Sequence, residues 1–114
     1  IVRNFAIGDK PLGAEAISRK LKMPVRLSRD ILSDLSSVEL VSEIHENDQK
    51  ERLYQPALDI NKLSICFILS RLDKKGTEQR TVLKNREYEH VISTLDKFDR
   101  ITAKSDSNIL IKDI

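Results

Sequence analysis

The sequence predicts a mainly α-helical fold with one small antiparallel β-hairpin. Apolar residues recur at helical spacing along most of the chain, whereas only one stretch alternates as strands do. Aromatic residues make up only 4% of the chain, which is low for a sheet-rich protein. Its 114 residues suit a single domain. We therefore predict one domain with a core at 1–62, C-terminal helices packing on that core at 63–104, and a docked tail at 105–114.

Three short helices are predicted in the first third of the chain, at about 1–7, 14–22 and 25–38. Gly8 follows the first helix, where glycine often ends a helix. The stretch Lys10–Gly13 is interpreted as a connection. Pro24 disfavours helical geometry in Met23 and suits the start of a helix, so a tight turn is expected between the second and third helices.

The third helix carries a stripe of apolar residues on a polar background. Leu32 lies beside this stripe, which consists of Leu27, Ile31, Leu35 and Val38. A stripe of this spacing predicts the face that packs against the core. The opposite face is expected to be exposed to solvent.

A hairpin is predicted at about 40–56. Its two strands are Leu40–Ile44 and Arg52–Gln55, and the loop between them is polar. Three helices followed by a hairpin make a winged helix-turn-helix. Two further helices are expected to follow it.

The first of these further helices is predicted at Ile65 to about Lys74, with Ser64 as its N-cap and Gly76 at its end. The second is the most periodic element of the chain, and its apolar stripe is Tyr88, Val91, Ile92, Leu95, Phe98 and Ile101. We expect this stripe to pack on the preceding helix, so a monomer is favoured over a homodimer. A two-fold dimer through the same stripe is the alternative.

The charge of the winged-helix segment argues against tight binding of nucleic acid. Residues 10–59 carry eight positive and nine negative side chains, a net charge of −1. Phosphate neutralisation supplies nearly all non-specific affinity for DNA. If nucleic acid is bound, the candidate contacts are Lys20, Lys22, Arg26, Ser28, Arg29, Ser33, Lys50 and Arg52. A solvated structural face is the favoured interpretation of these residues.

No residue pattern predicts catalysis, a metal site or a cofactor. His45 and His90 are far apart in the sequence, and their spacing suggests neither a shared metal nor a nucleophile and its base. Cys66 is the single cysteine, and its apolar neighbours predict a packed core thiol. The segment is therefore predicted to be no enzyme by itself.

Two segments of the sequence resemble known families: KPLGAEAISRKLKMPVRLSRDILSDLSSVELV and, after it, LYQPALDINKLSICFIL. They are similar to the iron–sulfur-type winged-helix repressors, whose clusters are held by several cysteines where this chain has only Cys66. They also resemble the C-terminal cytoplasmic domain of some ribonuclease BN-like (YihY/BrkB) inner-membrane proteins, and this resemblance extends to the closing SNILIKDI.

The second resemblance implies a membrane domain upstream of Ile1 and a place on the cytoplasmic face of a bacterial inner membrane. On that basis we expect a non-catalytic interaction or regulatory domain, whose partner is a protein or its own membrane domain. One alternative is a cytoplasmic DNA-binding transcriptional regulator of the winged-helix repressor type. Another is an RNA-binding accessory domain of a tRNA-processing ribonuclease, which the family's name implies. No catalytic residue is carried over.

Overall fold

The computed structural model describes residues 1–48, 50–77 and 85–114. Its helices are α1 (Val2–Ala6), α2 (Ala14–Leu21), α3 (Val25–Ser37), α4 (Ile65–Thr77) and α5 (Arg86–Ala103), and its strands are β1 (Leu12–Gly13), β2 (Val41–Ile44) and β3 (Leu53–Pro56). A 3₁₀ turn at Ile111–Asp113 ends the chain. The predicted fold class, mainly α with a small antiparallel sheet, is confirmed.

The sheet has three strands in the order β1-β3-β2, and both pairings are antiparallel. β2 and β3 form the predicted hairpin. β1 was not predicted, because Lys10–Gly13 was interpreted as a connection. Two residues are too few to show a strand periodicity, and β1 exists only through its pairing of Leu12 with Tyr54 and of Gly13 with Leu53.

Left-handed residues end the first three helices. After α1, Gly8 has φ +76°, its N–H bonds to the carbonyl of Phe5, and the Asp9 N–H bonds to the carbonyl of Asn4. This pair of bonds is the Schellman motif, which satisfies carbonyls that a helix end leaves open. Lys22 and Glu39 hold the corresponding left-handed position after α2 and α3.

The core lies between α2, α3 and the sheet. Its buried apolar cluster consists of Ala14, Leu32, Val41 and Tyr54, with Ile1, Ile17 and Leu35 packed against it. Leu32 is therefore central. The predicted stripe of α3 is wrong at Leu27 and Ile31, which are exposed, whereas its member Leu35 packs against the core cluster. The most buried positions of α3 are Ser28 and Leu32, which are four apart and share one face of the helix, and Leu32 belongs to the core cluster with Val41 and Tyr54 of the sheet.

The N-terminus of α4 is joined to the tail of the chain. The N–H of Phe67 donates to the Ser64 hydroxyl, as predicted for an N-cap, at 3.2 Å. The N–H of Ile65 donates to the carbonyl of Ile109 at 3.1 Å, and the N–H of Cys66 donates to Asn108 Oδ1 at 2.9 Å. Residues of the tail thus satisfy donors that the start of a helix leaves open.

Two sequence predictions for α4 differ from the structure. Gly76 does not end the helix, which continues to Thr77, because glycine inside a helix costs only about 1 kcal/mol relative to alanine. Cys66 is half-buried rather than a core residue, because it lies in the first turn of α4 beside the groove that this helix forms with α5.

The predicted packing of the α5 stripe is also wrong. Val91, Ile92, Leu95, Phe98 and Ile101 are all exposed, at 39% to 69% of their surface. The reason is geometric: the groove between α4 and α5 is lined on the α5 side by Asp99, Arg100, Thr102 and Ala103, so α4 contacts the C-terminal end of α5. The rest of the stripe extends beyond this contact.

Candidate functional site

The helix-turn-helix of α2 and α3 is held by short-range hydrogen bonds. The buried hydroxyl of Ser18 donates to the carbonyl of Met23, and the N–H of Met23 donates back to the carbonyl of Ser18. Lys22 takes the left-handed conformation between the two helices, and Pro24 caps α3. These contacts fix the angle at which α3 is presented.

The candidate nucleic-acid residues lie on α2, on α3 and in the β2–β3 loop and its flank. Seven of them are exposed: Lys20, Lys22, Arg26, Arg29, Ser33, Lys50 and Arg52. We call these seven the helix-turn-helix face. The prediction for Ser28 is wrong, because its side chain is only 2% exposed and points into the protein. Its position four residues before Leu32, which is equally buried, places both on one face of α3 and is the signal that could have shown this.

Two arginines of the helix-turn-helix face lie beside carboxylates of the same chain. Arg29 is 3.9 Å from Glu15 of α2, and Arg52 is 3.3 Å from Glu43 of β2. His45 also lies 3.9 Å from Glu43. Exposed pairs of this kind add little to stability. They do lower the positive potential that a phosphate backbone would meet.

A third carboxylate lies at the start of α2. Glu51 Oε1 accepts a hydrogen bond from the N–H of Glu15 at 3.3 Å, where a negative charge is favourable to a helix. This approach depends on Gly13, since a Cβ built there would stand 2.2 Å from the same oxygen. The carboxylate occupies a helix N-terminus that a phosphate would otherwise find open.

An apolar groove opens beside the helix-turn-helix. Its volume is about 360 Å³, and it is lined by Ile1, Val2, Ile17, Leu21, Met23, Ser28, Ile31, Leu32, Leu35, Leu40, Val41, Leu63, Ile68 and Ile111. Its rim is exposed, with Leu21 at 64% and Ile31 at 42%. The one hydroxyl in the lining, Ser28 Oγ, is buried and has no hydrogen-bond partner. Sequence reasoning missed this groove, because it treated Ile31 as a core residue.

The described residues offer little acid–base or metal chemistry. Within the described ranges no group of three or more histidine, cysteine or acidic side chains is close enough to hold a metal ion. Burial raises the pKa of Tyr54, as does nearby Glu43, and both stabilise the neutral phenol. The hydrogen bonds from Asn61 to its carboxylate lower the pKa of Asp59. These two groups do not converge on a common site.

Comparisons of the chain with known protein families, with characterised proteins and with solved structures gave no match. Among the described helices, none has the length and apolar content that crossing a bilayer requires.

Proposed function

We propose that this chain is a non-catalytic winged-helix domain that binds a protein surface, and that it serves as the cytoplasmic regulatory domain of a ribonuclease BN-like bacterial membrane protein. The order α1-β1-α2-α3-β2-β3, with β1 paired to β3, supports the winged-helix assignment. The membrane-protein assignment depends on the sequence resemblance described above. The partner in this proposal is the protein's own membrane domain.

The apolar groove carries the proposal. An open groove with a rim of large aliphatic side chains is the kind of surface into which the apolar face of a partner helix packs. Leu21 and Ile31 on the rim would be covered by such a helix, which would remove their apolar surface from water. Fully burying one such side chain is worth about 1.5–3 kcal/mol.

DNA binding by the helix-turn-helix face is the second candidate. It is favoured by the exposure of Lys20, Lys22 and Arg26, which lie near the turn between α2 and α3. It is opposed by the carboxylates beside Arg29 and Arg52. We therefore rank it below binding of a protein surface.

Site-specific photo-crosslinking in the full-length protein in cells tests the two candidates together. A photoreactive residue replaces Leu21 on the groove rim, and in a matched protein it replaces Arg26 on the helix-turn-helix face. We expect the Leu21 position to crosslink to the membrane domain, while the Arg26 position gives no nucleic-acid adduct. Adducts to DNA from the Arg26 position, with none to protein from Leu21, would contradict the proposal.

The membrane assignment has its own test. The complete coding sequence should encode several apolar segments of about 20 residues before Ile1. A complete reading frame without such segments would reject this part of the proposal and leave the protein-binding part standing.

A further inference from the structure

The strongest unexplained feature of the molecule is the exposed apolar face of α5. This helix has 18 residues, so it is about 27 Å long. Tyr88, Val91, Leu95 and Phe98 follow one another at spacings of three, four and three, which is the spacing of a seam between two paired helices. We call these four residues the α5 seam. Val91, Leu95 and Phe98 are exposed and Tyr88 is half-buried, and Ile92 lies beside the seam and is exposed.

The composition of α5 indicates that packing must stabilise the helix. Val91, Ile92, Thr94, Ile101 and Thr102 are β-branched, and such residues lose side-chain freedom in a helix. The hydroxyls of Thr94 and Thr102 bond back to the carbonyls of His90 and Phe98. In proteins most helical stability comes from packing of an apolar face rather than from helix propensity. The α5 seam therefore requires a covering surface.

We propose that a second copy of this chain covers the α5 seam, and that the two α5 helices pair in antiparallel orientation about a two-fold axis, which passes between the helices at the level of Ser93. The spacing of the seam reads the same in both directions, so a two-fold axis brings each residue opposite another member of the seam. Tyr88 then faces Phe98 of the second copy, and Val91 faces Leu95 of the second copy. An interface of this type uses one patch twice, as isologous dimers do.

The charges along α5 favour the antiparallel orientation. Residues 85–89 carry Arg86, Glu87 and Glu89, a net charge of −1, and residues 97–101 carry Lys97, Asp99 and Arg100, a net charge of +1. Antiparallel pairing aligns these two stretches. Parallel pairing would instead place each stretch beside the same stretch of the second copy, so that stretches of like net charge would meet. The helix dipoles also oppose each other in the antiparallel pair.

The same charges argue against a membrane surface as the occupant. Helices that lie on membranes are rich in lysine and arginine on their polar face. On the face of α5 opposite the seam, residues of opposite charge are mixed, with Asp96 and Lys97 adjacent to each other. A stable protein interface typically buries about 800 Å² on each partner, more than one short helix pair provides, so we expect a reversible dimer with a Kd of roughly 1–100 µM.

Sedimentation equilibrium of the 114-residue chain tests the proposal over protein concentrations from about 1 to 200 µM. The mass should rise from 13.1 kDa towards twice that value. Leu95→Asp should weaken association at least about 100-fold, since it buries two like charges near the axis, and any loss of helical circular dichroism should be no larger than the 18 residues of α5 contribute. Ser93→Asp is the matched control, because Ser93 is exposed on the opposite face of α5. A wild-type monomer at all concentrations would overturn the proposal.

Disulfide crosslinking tests the orientation and does not depend on Leu95→Asp folding. In a Cys66→Ser background, Thr94→Cys should form a disulfide dimer, because Thr94 of the two copies lie beside each other near the axis. Glu87→Cys should not, because it lies roughly 20 Å along the helix from its counterpart. Equal crosslinking at both positions is expected for parallel helices and would overturn the antiparallel arrangement.

Flotation of a monomeric wild type with phosphatidylglycerol vesicles, lost in Leu95→Asp, would overturn the choice of occupant.

Discussion

At the scale of single residues, Lys22 occupies a conformation that suits glycine. Its φ is 52°, and the left-handed region costs a residue with a Cβ about 1–2 kcal/mol. Replacing it by glycine removes this strain, and the added freedom of the unfolded chain offsets part of the gain. We expect Lys22→Gly to raise the free energy of unfolding by about 0.5–1 kcal/mol, measured by urea denaturation.

The matched control for this prediction is Lys20→Gly. It removes the same charge, but from the last turn of α2, where the backbone is helical and glycine costs up to about 1 kcal/mol. The two variants should therefore change stability in opposite directions. Destabilisation by both would show that the left-handed conformation of Lys22 carries no strain.

Asn108 joins three parts of the chain through one side chain. Its Oδ1 accepts from the N–H of Cys66 at the start of α4, and its Nδ2 donates to the carbonyl of Ala103 at the end of α5, at 3.1 Å. Removing both bonds leaves a half-buried helix donor unpaired. We expect Asn108→Ala to lower the free energy of unfolding by about 1–2 kcal/mol in thermal or urea unfolding.

Two variants refine this prediction. Asn108→Asp keeps the acceptor for Cys66 and loses the donor to Ala103, so its cost should be smaller. Ser107→Ala, at an exposed neighbouring position, should be close to neutral. An equal loss in Asn108→Ala and Ser107→Ala would contradict the role given to the Asn108 side chain.

At the scale of elements, the start of α2 depends on Gly13 and Glu51 together. Alanine at position 13 would push the Glu51 carboxylate away, so Gly13→Ala and Glu51→Ala should each cost about 0.5–1 kcal/mol by loss of the same helix-capping bond. Because the effect is shared, the double variant should cost less than the sum of the two. A double-mutant cycle in urea measures this coupling, and strictly additive costs would contradict it.

How far the elements could be predicted depends on where their determinants lie. Pro24 and Ser64 act on their own neighbours, so the start of α3 and the cap of α4 can be read from the sequence. β1 could not be predicted, because its two residues become a strand only by pairing with Leu53 and Tyr54, some 40 residues later. Tertiary packing also decides which face of α3 is buried. Ser28 is buried there, whereas the larger and more apolar Leu27 is exposed.

For the candidate site, the sequence predicted the charge balance of residues 10–59 better than it predicted which apolar surfaces are exposed. The carboxylates that reduce the basic character of 10–59 are evident from composition, and the structure places Glu15 and Glu43 beside arginines. The apolar groove was not predicted, and a free α5 stripe was expected only in the alternative prediction of a dimer. Periodicity shows that an apolar face exists, but it does not show what covers that face.

At the scale of the whole molecule, the chain is extended for its length. Its radius of gyration is 17.1 Å, whereas a compact domain of this length has about 13 Å. Its accessible surface is 9170 Å², against about 6,400 Å² for a compact protein of 13.1 kDa. The exposed α5 seam contributes to this excess, and association is one way to remove it from water.

A dimer would link thermal stability to concentration. Because the folded dimer is favoured by mass action, a tenfold rise in protein concentration should raise the Tm by roughly 2–4 °C. Leu95→Asp, measured by the same calorimetric series, should have a Tm that does not change with concentration. A wild-type Tm that is constant over a hundredfold range would contradict the linkage.

The charge of the whole molecule leads to the final prediction, which concerns DNA. The chain has a net charge of +2, while residues 10–59 have −1, so we expect only weak binding without sequence preference, with a Kd above roughly 10⁻⁶ M near 150 mM salt. Titration and selection with a random-sequence duplex pool measure both properties. Glu15→Gln with Glu43→Gln should strengthen this non-specific binding several-fold, because it releases Arg29 and Arg52 from their carboxylates. A selected site bound at nanomolar Kd by the wild type, and lost in Arg26→Ala with Arg29→Ala, would instead establish a sequence-specific DNA-binding protein.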